Sequence, residues 1–191
     1  MEIVSCGILK KEIQHLVRKN RWTFRERYLD SSLHIDFNKL ENALDATLTK
    51  VEASPPLLVY GTCHPLMDEI CRRYGAVRTE GQNCVEILLG KDIFQRELKR
   101  GAFFLLEDWA RSWDRIIPAT MGSKKSIQKE IFRDSHKYFL ALRTPCSDDF
   151  KNEAEQISRE MGLPLHWRDA DLKNLENVLK KTMSSFGSMQ P

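Results

Sequence analysis

Segments with the composition of buried β-strands alternate with segments that have the spacing of amphipathic helices, from one end of the chain to the other. Because strands and helices alternate in this order, neighbouring strands are expected to pair in parallel through helical crossovers. The sequence therefore predicts the α/β class, with helices covering both faces of a mostly parallel sheet. The order of the strands within the sheet is not determined by this pattern.

The individual elements follow from apolar periodicity and from the positions of glycine and proline. The pattern predicts strands over residues 2–6, 23–29, 57–60, 76–78, 102–106, 137–142 and 163–167. It predicts helices over residues 8–19, 37–51, 65–74, 84–89, 93–98, 109–117, 126–132, 148–161 and 172–183.

The length of 191 residues predicts a single α/β domain over residues 1–191, which is long enough to bury a core without disulfides. A break at residues 118–123 separates a cysteine-bearing part, residues 1–117, from a C-terminal α/β part, residues 124–183. The polar tail, residues 184–191, is expected to be frayed.

Charge and composition exclude several classes of protein. The net charge of +3 is too small to indicate a nucleic acid or an anionic membrane surface as a partner. No apolar run approaches the roughly 20 residues of a membrane span, and the N-terminus lacks the features of a secretory signal. The five cysteines are an odd number without the spacing of a disulfide framework. We therefore expect a cytoplasmic protein with reduced thiols, whose oligomeric state the sequence does not define.

Three of the five cysteines follow predicted strands. Cys6 closes the first strand, Cys63 follows the strand at 57–60, and Cys84 follows the strand at 76–78. Parallel strands deliver their C-terminal ends to one crevice, so these thiols are expected to meet in space. Thiolates suit zinc, copper(I) or an iron–sulfur cluster. Cys71 and Cys146 are interpreted as packing or turn residues, because a single cysteine usually acts as a small hydrophobe.

Histidines and glycines near the same strand ends complete the candidate site. His34, which follows the second strand, is the candidate fourth metal ligand, and His64 is the alternative. With a fourth protein ligand the metal site would be closed and structural, whereas an open position would admit an external ligand. Gly7 permits a tight turn, and Gly61 permits close approach of a backbone or a ligand. Gly7, Gly61 and His64 are therefore the predicted cofactor-binding residues.

Other mechanisms lose their usual sequence support. The chain contains no Gly-x-Gly-x-x-Gly after its first strand and no Gly-x-x-x-x-Gly-Lys-[Ser/Thr], the patterns of dinucleotide and P-loop nucleotide binding. It also contains no Gly-x-Ser-x-Gly, the nucleophile elbow of α/β-hydrolases.

A group of short motifs resembles one family, the domain of unknown function numbered 1638. The motifs are Ser5-Cys6-Gly7-Ile8-Leu9 with Glu12, Leu33-His34, Tyr60-Gly61-Thr62-Cys63, Asn83-Cys84 and Leu88-Leu89-Gly90. The resemblance is clear over residues 1–117 and looser beyond them. It implies a Rossmann-like α/β fold and genes that are often adjacent to those of corrinoid proteins and their methyltransferases.

The resemblance supports a shared site formed by Cys6, Cys63, Cys84 and His34, because the three cysteines and the Leu-His pair recur in the family pattern. This chain departs from the pattern at Asn83, where Asp is usual, and at Lys91, where a small residue is usual. Asn83 removes a carboxylate that could tune the thiol, and Lys91 weakens any role in binding an anion there.

These observations lead to a hypothesis of zinc or iron–sulfur binding in corrinoid-linked methyl transfer, with a corrinoid protein or a methyltransferase as partner. A metal-bound thiolate remains nucleophilic at neutral pH, which is the physical reason for the methyl-transfer interpretation. Two alternatives remain open at this point. One is a non-catalytic accessory that delivers a metal or cofactor to a methyltransferase, and the other is a regulatory ligand-binding module whose cysteines only pack.

Overall fold

The computed structural model describes residues 1–52 and 55–187, with the side chains of the last two left aside. The strands are β1 (Glu2–Cys6), β2 (Arg25–Leu29), β3 (Leu57–Val59), β4 (Val77–Arg78), β5 (Ala102–Leu105), β6 (Tyr138–Arg143) and β7 (Leu165–Asp169). The helices are α1 (Lys10–Asn20), α2 (Phe37–Leu48), α3 (Met67–Tyr74), α4 (Cys84–Leu89), α5 (Lys91–Lys99), α6 (Glu107–Arg111), α7 (Trp113–Met121), α8 (Lys125–Ser135), α9 (Lys151–Met161) and α10 (Lys173–Gly187). Short 3₁₀ helices follow β1 (Gly7–Leu9) and β2 (Ser31–Ile35).

The chain forms two compact units. The first unit comprises residues 1–91 and the chain from residue 172 onward, and the second comprises residues 92–171. The last helix, α10, therefore belongs to the same unit as β1.

The first unit is built on a four-stranded parallel sheet in the order β2-β1-β3-β4. The central strand β1 pairs with β2 on one side and with β3 on the other, so that Ile3 lies opposite both Glu26 and Leu57. The chain turns outward from β1 to β2 and then returns across β1 to form β3. This reversal is a topological switch point, the place where open α/β sheets leave a crevice at the C-terminal ends of their strands.

Sequence and burial explain the elements of this unit. All five residues of β1 and all three of β3 are buried, as expected for central parallel strands covered on both faces. The carboxylate of Asp36 accepts a hydrogen bond from the backbone N–H of Lys39 at 3.1 Å and so caps α2. Gly75, with φ of +60°, adopts the left-handed conformation that ends α3.

The second unit contains a three-stranded parallel sheet in the order β5-β6-β7. Its core includes an aromatic cluster in which ring centroids lie 5.1–5.9 Å apart, formed by Phe103, Trp113, Phe132 and Phe139. These rings join β5, α7, α8 and β6 around one centre.

The structure confirms the predicted α/β class with parallel sheets flanked by helices, and the Rossmann-like layers. The predicted break at 118–123 is wrong in its first part, because Pro118 lies inside α7. Burial of Trp113, Ile116 and Ile117 on one face of α7 outweighs the hydrogen bond that this proline lacks. Residues 184–187 of the predicted tail belong to α10, whereas residues 188–191 lie outside the described residues.

Within residues 1–52 and 55–187, no helix has the length and apolar character needed to cross a membrane.

Candidate thiol site

The three cysteines that follow predicted strands all lie at the C-terminal edge of the first sheet. Cys6 is the last residue of β1, Cys63 lies in the loop after β3, and Cys84 is the first residue of α4, in the segment that follows β4. Since β1 and β3 are the two strands at the switch point, Cys6 and Cys63 border the crevice expected there.

Gly61 brings the loop after β3 against the loop before α4. A Cβ atom at this position would lie 2.3 Å from the Gln82 carbonyl oxygen and 2.4 Å from the Asn83 nitrogen, so only glycine allows this approach. The neighbouring Thr62 donates its backbone N–H to the Gln82 carbonyl at 2.8 Å. This contact holds Cys63, one residue further on, beside the start of α4 and therefore beside Cys84.

Gly7 has a comparable role at the end of β1. A Cβ atom on Gly7 would lie 2.8 Å from the carbonyl oxygen of Leu29, the last residue of β2. The chain after Cys6 can therefore turn into its 3₁₀ helix only because this side chain is absent. In this structure Gly7 and Gly61 pack closely against backbone atoms of the protein. Their predicted role in binding a cofactor stays a prediction.

Asn83 fixes the beginning of α4. Its side-chain oxygen accepts a hydrogen bond from the backbone N–H of Glu86 at 2.9 Å, which is the usual role of an asparagine at the N-cap. Cys84 therefore occupies the first helical position, and its side chain is almost completely buried.

The three thiols interact with one another through Cys84, whose thiol hydrogen bonds with both Cys6 and Cys63. These bonds, first that with Cys6, together with burial raise the pKa of Cys84 well above its ordinary value. The pKa of Cys63 is lowered from 9.0 to about 7, mainly because the Cys84 thiol hydrogen bonds to the Cys63 thiolate. A backbone N–H of Gly61 and the charge of Arg78 lower it further, against the opposing effect of burial.

Two residues of this site were missed by the sequence analysis. Arg78, at the end of β4, contacts the Tyr60 carbonyl oxygen at 3.5 Å and forms an ion pair with Asp68 at 3.1 Å. Tyr60, the first residue after β3, is buried, and its hydroxyl has no hydrogen-bond partner among the described residues. The cysteines were identified because they lie at or just after the end of a strand. Arg78 and Tyr60 occupy positions of the same kind.

His34 lies at the same edge of the sheet, in the 3₁₀ helix that follows β2. Its Nδ1 atom hydrogen bonds with the Ser31 carbonyl, so the proton is on Nδ1 and the lone pair is on Nε2. Burial lowers the pKa of His34, which favours the neutral ring. A neutral imidazole with Nδ1–H bonded to a carbonyl is the usual state of a metal-ligating histidine.

His64 is held by protein groups on both sides of its ring. Its Nδ1 accepts a hydrogen bond from the Leu66 backbone N–H at 3.1 Å, and its Nε2 lies 3.9 Å from the Glu41 carboxylate. The ring of Phe37 packs against it edge-on, with centroids 5.5 Å apart. These contacts favour a structural role for His64, and its predicted role in binding a cofactor stays a prediction.

The family comparison bears on these residues directly. The family model described as a protein of unknown function, DUF1638, matches residues 28–179, about four-fifths of the chain. The protein belongs to the DUF1638 family. No curated protein and no solved structure gave a significant match.

The range of the DUF1638 match differs from the range expected from the motifs. Cys63, Cys84 and His34 lie inside the matched range, whereas Cys6 precedes it. The match also continues to residue 179, beyond the part in which the resemblance was expected to be clear. The inclusion of Cys6 in the site therefore depends on its position in the structure.

The remaining two cysteines of this DUF1638 protein lie elsewhere. Cys71 is buried in α3, where burial raises its pKa, as expected for a packing residue. Cys146 lies in a turn of the second unit, and its backbone N–H donates to the Thr144 hydroxyl at 3.1 Å.

Within the described ranges of this DUF1638 protein, no group of three or more His, Cys, Asp or Glu side chains is arranged to hold a metal ion. The three thiols nevertheless contact one another through Cys84. Tetrahedral zinc with bonds of about 2.3 Å would require its sulfur ligands to lie roughly 3.8 Å apart. The three cysteine side chains would therefore have to rearrange before they could hold zinc.

Proposed function

We propose that Cys6, Cys63 and Cys84 bind a thiophilic metal centre, either zinc or an iron–sulfur cluster. The observation that supports this most directly is the Cys84 thiol, which hydrogen bonds with thiols from two other distant stretches of the chain. Three convergent thiols at the switch point of a parallel sheet provide soft ligands where such folds bind ligands.

The electrostatics of the site favour a cation. Three thiolates would carry a charge of −3, and Zn²⁺ would leave a net charge of −1. The guanidinium of Arg78 already stabilises the Cys63 thiolate and would offset this remaining charge. Cys63 is also the most exposed of the three cysteines, so it provides the side from which an ion reaches the buried pair.

The fourth coordination position decides what such a centre does. We propose His34 as the protein ligand, because its tautomer presents an unprotonated Nε2. If His34 coordinates, zinc has a closed structural shell. If it does not, the fourth position is open to an external thiol or another small ligand.

The proposed setting is corrinoid-linked methyl transfer, as the family resemblance implies. Cys6, Cys63 and Cys84 would hold the zinc, which would keep an external thiol deprotonated and so favour its methylation by a methyl-corrinoid. An accessory protein would bind the metal without catalysing this step, so a methyl-transfer assay with a methyl-corrinoid and a thiol separates the two roles.

Metal analysis of protein purified without oxygen tests the proposal. We expect near-stoichiometric zinc, or visible absorbance with iron and sulfide if the centre is a cluster. The metal should be lost in Cys6→Ser, Cys63→Ser and Cys84→Ser, and retained in the control Cys146→Ser. Metal content that is the same in all four variants would refute the shared site and favour a regulatory module with structural cysteines.

A further inference from the structure

The hydroxyl of Tyr60 is a polar group that the fold buries without satisfying. Tyr60 is 2% exposed, and within the described residues its hydroxyl oxygen has no hydrogen-bond partner. Nearly all buried polar atoms in folded proteins are hydrogen bonded, and an exception often marks a group that serves a bound ion or ligand. A phenylalanine would fill the same space without this unsatisfied hydroxyl.

The groups around Tyr60 indicate which atoms could accept a hydrogen bond from its hydroxyl. The ionisable groups whose charge would act on its hydroxyl are the thiols of Cys6, Cys84 and Cys63. Burial, followed by repulsion from these three groups, raises the pKa of Tyr60 well above its ordinary value. Toward a thiolate the phenol can act only as a hydrogen-bond donor, because a thiolate has no proton to donate.

The backbone of Tyr60 is held in place from the neighbouring strand. The Thr79 hydroxyl donates to the Tyr60 carbonyl at 3.2 Å, and the Arg78 guanidinium contacts the same oxygen at 3.5 Å. Because Thr79 is itself buried, the backbone from which the Tyr60 ring extends has a fixed position.

We infer that the Tyr60 hydroxyl donates a hydrogen bond to one of the three cysteine sulfurs once they are deprotonated and bound to metal. This inference rests on the proposed function, because neutral thiols are weak acceptors whereas thiolates are strong ones. Tyr60 is thus a positioning residue of the metal centre. Its bond withdraws electron density from the sulfur, which stabilises the bound metal and makes the cysteine less nucleophilic than an external thiolate at the same metal.

Cobalt(II) titration of Tyr60→Phe tests the inference, with Tyr28→Phe as the matched control. The Tyr28 hydroxyl already donates to the Glu26 carboxylate at 2.7 Å, so its removal should not affect the sulfurs. In Tyr60→Phe we expect the dissociation constant of Co²⁺ to rise about 10-fold, as for other groups that support metal ligands. The sulfur-to-cobalt charge-transfer band should shift to lower energy, because the sulfur becomes more electron-rich.

The stability of the metal-free protein separates this role from simple packing. Without metal, Tyr60→Phe should melt at the same temperature as the wild type or higher, because the lost hydroxyl had no hydrogen-bond partner. With metal bound, it should melt at a lower temperature than the wild type. As a second measurement that needs no variant, replacing tyrosine by 3-fluorotyrosine, a stronger donor, should shift the charge-transfer band to higher energy.

The possible outcomes distinguish the two proposals. If the wild type shows no sulfur-to-cobalt band, the metal proposal fails. If the wild type binds Co²⁺ but Tyr60→Phe has the same affinity and spectrum, and 3-fluorotyrosine leaves the band in place, the metal proposal stands and the role of Tyr60 is refuted.

Discussion

Substitution of Gly61 by alanine tests whether the approach of two loops assembles the thiol site. The added methyl group would meet the backbone of Gln82 and Asn83 at 2.3–2.4 Å. Backbone atoms cannot rotate away as the end of a flexible side chain can, so one of the two loops must move. Gly61 is not among the glycines with positive φ, so the effect is steric and not conformational.

The expected cost has two parts. Inserting a methylene-sized group into a packed site typically costs 1–3 kcal/mol. If the loops separate, the hydrogen bond from Thr62 to Gln82 is also lost, which contributes about 1 kcal/mol. The sum is roughly 2–4 kcal/mol, and for a chain of this length each kcal/mol lowers the melting temperature by about 2–4 °C. We therefore expect Gly61→Ala to melt roughly 5–15 °C below the wild type.

The same movement should appear at Cys63. The hydrogen bond from Cys84 is the main reason for the lowered pKa of Cys63, so separating the loops should raise this pKa from about 7 toward its ordinary value of 9.0. The assays are thermal unfolding and the pH profile of Cys63 alkylation by iodoacetamide, both on metal-free protein. At pH 7 the alkylation of Cys63 should become several-fold slower.

Gly75→Ala is the matched control. A Cβ atom at Gly75 meets nothing within 4 Å, but the φ of +60° makes alanine strained there by roughly 1–2 kcal/mol. This variant should lose a little stability and keep the alkylation profile of the wild type. If Gly61→Ala matches the wild type in both melting temperature and alkylation, the loops do not depend on this contact and the reasoning is refuted.

Further predictions concern the charges around the thiols. In the metal-free protein, alkylation of Cys63 should have a midpoint near pH 7 and slow as the pH falls below it; a midpoint near 9 would contradict the hydrogen bond from Cys84. Arg78→Met should raise the pKa of Cys63 and slow its alkylation at pH 7, whereas Arg72→Met, on the neighbouring helix α3, should not. Asn83→Asp should keep the helix cap to within a few tenths of a kcal/mol and slow the alkylation through its added negative charge, as stopped-flow rates would show. Zinc binding at pH 7 should release protons, mostly from the buried thiols, and the affinity for zinc should fall as the pH falls. Calorimetry in buffers of different ionisation enthalpy measures this release. If it shows none, the thiols are not the ligands.

The sequence predicted the elements well because their signals are local. The strand at Glu2–Cys6 was predicted with its observed bounds, and helix α2 begins after the predicted cap Asp36. Both depend on residues that are adjacent in the chain. The order of the strands depends on which apolar faces pack together, and no single stretch of sequence records this. The position of β1 between β2 and β3 therefore emerged only from the structure.

The candidate site also has one part that the sequence predicts and another part that only the structure shows. The convergence of Cys6, Cys63 and Cys84 was expected from the general rule that parallel strands end at one edge. The residues that adjust the thiols were not found, because their effect depends on contacts over distances that the sequence does not show. Arg78 reads as a solvated charge, and Tyr60 reads as the last apolar residue of a strand. Their roles appear only when β4 and β3 are placed next to each other.

The topology also explains why the candidate site belongs to the first unit. When successive right-handed crossovers add strands in one direction along a sheet, their helices lie on the same face of that sheet. The second unit, with the order β5-β6-β7, follows this pattern. In the first unit the chain moves one way from β1 to β2 and the other way from β2 to β3, so α1 and α2 are placed on opposite faces. The loops after β1 and β3 therefore diverge and leave a crevice between them, and Cys6 and Cys63 are on these two loops or at their start. The proposed thiol centre therefore depends on the reversal of strand order as much as on the cysteines themselves.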